Sequence, residues 1–292
     1  METYKIAKSI DFPFLNYNHL QNNLVSVIEY IKGEGYCKNS GEMEIKKQFI
    51  EVLNSLQNSN LSFNREIIIE FNNQEHTQKM IENGLLSNEN TLNNKHLFPE
   101  SEQSEIIYKI RTALSLLKTL HNDLYNLINQ YISTIYVVKN EGFGGGSVSG
   151  YLGFIWLNIQ PQWSVIDIAE NIYHEFIHNA LFIDDMVNCL FPDPLACAEP
   201  DGLVTSTILE SKRPLDKSYH AANVAVGIMH FYFMLRLNRE DKNYLSNFSS
   251  TVDEINTKTH LLGNQGKNIL QVMNAFKYNP DFNSITETLT KD

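Results

Sequence analysis

Cysteine is scarce: Cys37, Cys189 and Cys197 are the only three in 292 residues. Their number is odd and no two form a Cys-x-x-Cys pair, so neither a disulfide framework nor a thiolate zinc site is indicated. They read as reduced, buried small hydrophobes. Long apolar runs are absent too. None reaches the roughly 18–20 residues needed to span a bilayer, and the opening METYKIAKSIDFPF lacks the basic-then-apolar order of a signal peptide. These absences point to a soluble protein of the cytoplasm. Basic residues are few, with 23 Lys and Arg against 34 Asp and Glu, a net charge of -11 and no basic cluster. Phosphate binding needs concentrated Lys and Arg, so nucleic acid and anionic membranes are disfavoured as partners. Solvated surface accounts for most of the acidity.

What the chain does have is enough apolar residue, 42%, to build one large domain or two small ones. Residues 1–130 read as a mainly helical N-terminal region. Apolar recurrence marks helices over Leu15 to Ile31 and Glu42 to Leu56, and Ile67 to Ile69 suggests a buried strand. The polar, asparagine-rich text from Phe71 to Glu105 suggests loops. From Ile106 to Leu127 one apolar face is held for over 20 residues, which predicts a single long helix. Residues 131–292 read as one catalytic unit. It opens with strands at Ile135 to Val138 and Tyr151 to Leu157, separated by the glycine-rich Gly142 to Gly150. An extended peptide is a candidate to add to a strand edge here. Later come an all-round apolar helix from Lys217 to Leu237 and a last helical stretch from Asn243 to Phe276, broken near Gly263. The fold class expected is α+β, predominantly helical, with a helix of metal-binding pattern beside a small antiparallel sheet.

That helix carries the chemistry. Residues 174–178 read His-Glu-Phe-Ile-His, and two histidines four positions apart stand one above the other on a helix face, where both imidazoles can reach one ion at about 2.0–2.1 Å. Glu175 flanks that face, placed to take a proton from a metal-bound water. The bare string arises by chance in on the order of one chain in a hundred of this length, and two histidines can simply hydrogen-bond in a packed interior. Context favours the metal. Ser164 and Asp167 form a capping-box-like start, and Val165, Ile168, Ala169, Ile172 and Phe176 make a core stripe. His174 and His178 lie to one side of it, with Asn171 and Asp167. A strand leading through a short loop into an HExxH helix is the zincin-like arrangement.

The third ligand separates the possible enzymes. The metzincin pattern needs a glycine where Leu181 stands, which weakens Asp184. A peptidase glutamate about 20 residues on matches Glu199, but Pro192, Pro194 and Pro200 surround it and disfavour a helix. Glu210 is a further carboxylate. His220 opens the apolar helix, while His230, ten residues later, reads as a core residue.

The combination of His174, Glu175, His178, the pair Arg213-Pro214 and then His220 resembles the HExxH-motif peptide-modification proteins associated with ribosomally made peptide natural products. The resemblance covers roughly residues 150–237; Ala221 stands where that pattern often has glycine. It implies an iron(II)- and 2-oxoglutarate-dependent peptide β-hydroxylase that uses O2. Its ligands would be His174, His178 and His220, Arg213 would grip the distal carboxylate of 2-oxoglutarate, and the substrate would be a precursor peptide. The alternatives are a zinc metallopeptidase with Glu175 as general base, completed by Glu199 or Glu210, and a binding protein that keeps only the fold.

Overall fold

The computed structural model describes residues 10–140, 144–237 and 243–291. It is predominantly helical with a small sheet, an α+β chain. In order the elements are α1 (Tyr17–Lys32), α2 (Glu42–Gln57), β1 (Ile68–Glu70), α3 (Gln74–Glu82), α4 (Asn88–Thr91), α5 (Glu100–Leu120), α6 (Asn122–Tyr131), β2 (Thr134–Val137), β3 (Gly145–Gly146), β4 (Phe154–Leu157) and α7 (Val165–Asn188). Then follow α8 (Pro194–Ala198), β5 (Leu203–Thr205), β6 (Lys212–Pro214), α9 (Leu215–Leu235), α10 (Tyr244–Asn256), α11 (Asn264–Tyr278) and α12 (Phe282–Thr288). Among the described residues no helix is long and apolar enough to cross a membrane.

The chain divides into two units, residues 21–183 and residues 1–20 with 184–292. The divisions fall inside α1 and α7. Strand β1, from the region expected to be helical, pairs with β2.

The first unit holds a four-stranded sheet of order β1-β2-β4-β3. The small antiparallel sheet expected here is corrected: β1, β2 and β4 run parallel, and only β3 is antiparallel, pairing Gly145 with Leu157 and Gly146 with Trp156. A parallel pair needs a crossover of about a dozen residues or more, and the segment 138–153 supplies it. The central strands β2 and β4 are buried along their whole length, as parallel strands covered on both faces are. Tyr136, Phe154 and Trp156 project to one face and join Ile50, Leu61, Met80, Leu86 and Tyr151 in a core cluster. His76 stands among these rings, its Nδ1 2.7 Å from the Tyr151 hydroxyl and its Nε2 3.3 Å from Glu70.

Two expectations about helices need correction in this unit. The polar stretch 71–105 contains α3 and α4 as well as loops. Asn73 caps α3 by accepting from the Glu75 and His76 amides, and Met80 anchors the helix in the core. The long helix over Ile106 to Leu127 is two helices. His121 takes an extended conformation between them and its Nδ1 accepts from the Leu124 amide, so a polar side chain ends one helix and starts the next.

The second unit is built on α9, buried nearly all round as its sequence indicates, with α10 and α12 packed on it. Phe12, Phe248 and Phe282 all pack around Phe276 at centroid separations of 5.4–5.7 Å. The expected break at Gly263 separates α10 from α11. Cys37 and Cys197 are buried, but Cys189 is exposed and adopts a left-handed φ of 53° just past the end of α7. The reading of all three as buried fails there, because a residue that ends a helix is placed by the backbone turn and not by its side chain's hydrophobicity.

Lys46, on α2, is fully buried with one hydrogen bond, from Nζ to Asn129 Oδ1 at 3.1 Å. Burial pushes its pKa down to about 8, against a smaller opposing pull from Glu66. Between about pH 8 and the ordinary lysine range the unfolded chain therefore holds a proton the folded one has released, and stability rises with pH. From pH 7 to 9.5 urea unfolding should show wild type gaining on the order of 2 kcal/mol relative to Lys46→Met. Parallel curves for the two proteins would contradict this.

Candidate metal centre

Helix α7 begins as its sequence indicates. The Ser164 Oγ accepts from the Asp167 amide at 3.2 Å, and Asp167 Oδ2 accepts from the Ser164 amide at 2.8 Å, a reciprocal cap. Ile168, Ala169, Ile172, Phe176 and Ile177 are buried, and Phe176 meets Tyr131 edge-on at 5.5 Å. Along the middle of the helix, residues 171–184, one stripe stays partly open: Asn171, His174, His178 and Phe182 are each half-buried and the rest are buried. The helix thus has a core face and a site face.

The structure brings His174 and His178 together on that open stripe with ring centroids 5.0 Å apart. The packed surroundings of His174, whose side chain keeps 24% of its surface, push its pKa down to about 4. A neutral imidazole is the form that binds a metal, so no proton has to be displaced near neutral pH. Glu175 is buried beside the pair, with Oε1 3.8 Å from His174 Nε2. Burial drives its pKa up to about 7, partly offset by the Ser147 hydroxyl, which donates to Oε2 at 2.7 Å. A carboxyl poised there can hold or release a proton near neutrality.

Two features beyond the motif build this site. Strand β3 lies against Glu175: a Cβ on Gly145 would come within 3.8 Å of Oε1 and within 3.0 Å of the Trp156 carbonyl, and one on Gly146 within 2.7 Å of the Trp156 indole nitrogen. That closeness to β4 accounts for Gly145 and Gly146, while a Cβ on Gly144 would meet the Trp163 ring; Gly142 and Phe143 of the same run lie outside the described residues. The second is Asn179, one turn beyond Glu175. Its Oδ1 accepts from the Gly153 amide at 3.1 Å and its Nδ2 donates to the Glu175 carbonyl at 3.0 Å, fixing α7 to the start of β4. Neither Ser147 nor Asn179 stands among the residues that the motif points to. A glycine-rich run that ends in serine just before a strand was the available signal for the first.

The remaining candidates belong to the second unit. Arg213 lies on β6, paired in register with Val204 of β5. It is half-buried and forms no ion pair with any described carboxylate, whereas its neighbour Lys212 bonds Glu254 at 2.6 Å. Pro214 is the N-cap of α9. His220, in the second turn of α9, is 4% exposed, with its ring 6.2 Å from that of Phe191. Burial and, less strongly, Lys217 push its pKa down to about 3, so it too is neutral. His230 is a core residue, its Nε2 3.0 Å from the Thr286 hydroxyl. Glu199 is exposed just past the end of α8. Glu210 is exposed and accepts from Asn247 at 3.0 Å, and Asp184 is fully buried against His19 and Asn188. Among the described residues no group of three or more His, Cys, Asp and Glu side chains is gathered around one point as an ion would require; the gathered donors are His174 and His178, with Glu175 alongside. Comparison with models of known protein families and with curated proteins finds no match.

Replacing Asn179 by Ala leaves the buried Gly153 amide unpaired, which costs about 1–3 kcal/mol. Urea unfolding of Asn179→Ala should show a loss in that range, and an unchanged midpoint would show that α7 is held by packing alone.

Proposed function

We propose that this protein is an iron(II)- and 2-oxoglutarate-dependent oxygenase of the cytoplasm that hydroxylates a side chain of a ribosomally made precursor peptide, on a zincin-like strand-and-helix frame. Metal binding is supported by the neutral pair His174–His178 on the open stripe of α7. In this reading His220 supplies the third ligand, an assignment drawn from the sequence resemblance alone. His174, His178 and His220 would hold ferrous iron, a metal able to take a chelating keto acid and O2 beside imidazole ligands. With both bound it supplies the oxidation of a C–H bond to C–OH, one oxygen atom entering the alcohol and the other the succinate left when 2-oxoglutarate loses CO2.

The observation that carries the choice of chemistry is Arg213, a half-buried guanidinium with no described carboxylate partner. Its forked donors match the distal carboxylate of 2-oxoglutarate, which Lys cannot do. Glu175 can take up or release a proton at the edge of the site, its carboxyl oriented by the Ser147 hydroxyl.

A zinc peptidase is the second reading, favoured by the pKa of Glu175, which suits a general base acting on bound water. It needs a carboxylate ligand. Glu199 and Glu210 are both exposed and Glu210 is already bonded to Asn247, which weighs towards the oxygenase.

Protein purified without oxygen and loaded with Fe(II) should bind 2-oxoglutarate with a weak metal-to-ligand charge-transfer band in the visible. Arg213→Ala should weaken that binding roughly ten- to hundred-fold, as loss of a charge-assisted contact does, and admitting O2 should yield succinate. His174→Ala, His178→Ala and His220→Ala should lose the metal, while Glu175→Gln should keep most of it and lose activity. Peptide cleavage by the zinc form, with no spectral change and no succinate from the iron form, would overturn the proposal.

A further inference from the structure

A cleft of about 1180 Å³ opens at the carboxyl ends of β2 and β4, between them and the segment that leads from α4 into α5. Crevices outside the carboxyl ends of parallel strands are where open α/β sheets bind ligands. This one is larger than the roughly 300–1,000 Å³ that suits a single small molecule, so it has room for several residues of a chain.

The walls are polar in an ordered way. His96 lines the cleft at 6% exposure, and its Nδ1 is buried with no hydrogen-bond partner among the described residues. An orphaned nitrogen of this kind is unfavourable unless something bonds it. The Lys139 amide donates to the His96 carbonyl at 2.7 Å, so the two residues are neighbours. Lys139 is half-buried, lies over the Phe98 ring at 5.0 Å and forms no ion pair with any described carboxylate. Lys109, the other half-buried lysine of the lining, is already bonded to Glu105 at 2.8 Å. The glutamates of the lining, Glu89, Glu102 and Glu105, are exposed at its rim. The inner part of the cleft therefore offers an ammonium paired with no described carboxylate, beside an imidazole that burial holds towards its neutral form, with one ring N–H to donate to an anion.

One end of the cleft reaches the metal centre's surroundings. Gly144 and Trp163 both line it. A Cβ on Gly144 would touch the Trp163 ring at 2.8 Å and stand 3.8 Å from Asn171 Oδ1, on the open stripe of α7; the next residue, Gly145, is the one beside Glu175. A chain lying in the cleft is thus led towards Glu175.

We infer that this cleft binds the peptide substrate in extended form, with an acidic side chain seated against Lys139 and His96. The inference rests on the proposed peptide substrate but not on the metal or the keto acid. Its test is fluorescence anisotropy on the full chain, metal-free, with three fluorescein-labelled Gly/Ser decapeptides carrying a central Asp-Glu, Asn-Gln or Lys-Lys pair. The acidic peptide should bind about ten-fold or more tightly than the other two, and Lys139→Ala and His96→Phe should each weaken it by about ten-fold. Lys139→Glu should reverse the preference towards Lys-Lys, and Lys118→Ala, on α5 outside the cleft, should change nothing. The reversal keeps the test decisive if His96→Phe fails to fold. Equal binding of all three peptides, or wild-type affinity in folded Lys139→Ala, overturns the inference, as does free glutamate competing as well as the peptide, which would make this an amino-acid site. Selective binding that persists in His174→Ala, with no charge-transfer band in the wild type, would leave the cleft standing and remove the oxygenase. A band without selective binding would do the reverse.

Discussion

Much of the first unit converges on the backbone of Gly153. Its amide donates to Asn179 on α7, its carbonyl accepts from the Ser133 amide at 2.8 Å where β2 begins, and its φ of 77° is one that residues with a side chain rarely adopt. A Cβ there would press on Leu53 at 3.0 Å and Leu61 at 3.2 Å. One buried residue thus sets the separation between two parallel strands and the height of the helix that carries the histidines. Buried backbone groups must be bonded, so these contacts form together or leave a donor stranded, and the geometry at Glu175 inherits that cooperativity.

The electrostatics of the site follow from the same burial. Sinking α7 up to the edge of its open stripe holds His174 neutral and Glu175 near its own midpoint, since a low-dielectric setting disfavours whichever form is charged. An acceptor-ready imidazole and a carboxyl able to exchange a proton stand side by side, and burial is the main cause of both shifts. The helix did not have to be fully buried for this, and a fully buried one would have closed the stripe to any ligand.

How far the sequence could be read depended on whether the information was local. The start of α7, its two faces, the strands around Ile68, Ile135 and Ile155, the all-apolar α9 and the break at Gly263 all follow from spacing or capping within a dozen residues. Strand direction does not: Thr134 to Val137 and Phe154 to Leu157 have the same β-rich text whether paired parallel or antiparallel, and the crossover decides. Helix α3 escaped notice because its apolar content is slight and its stability comes from the Asn73 cap and the insertion of Met80. The split at His121 escaped because the apolar stripe runs through it uninterrupted. Ser147 and His96 owe their positions to tertiary contacts with residues 28 and more places away, such as Glu175, and no periodicity marks them.

Strand β3 has a consequence for how such a protein can change. Where most enzymes adjust selectivity by altering the side chains around the reacting group, here the strand beside Glu175 is made of glycine, and a side chain added at Gly145 or Gly146 would press on β4. Variation at that position is closed off sterically. New preferences have to come from the segment between α4 and α5, whose outer residues are exposed and carry little of the core. The fold separates a part that tolerates no change from a part that tolerates much, and a laboratory library aimed at new substrates belongs on residues 88–109.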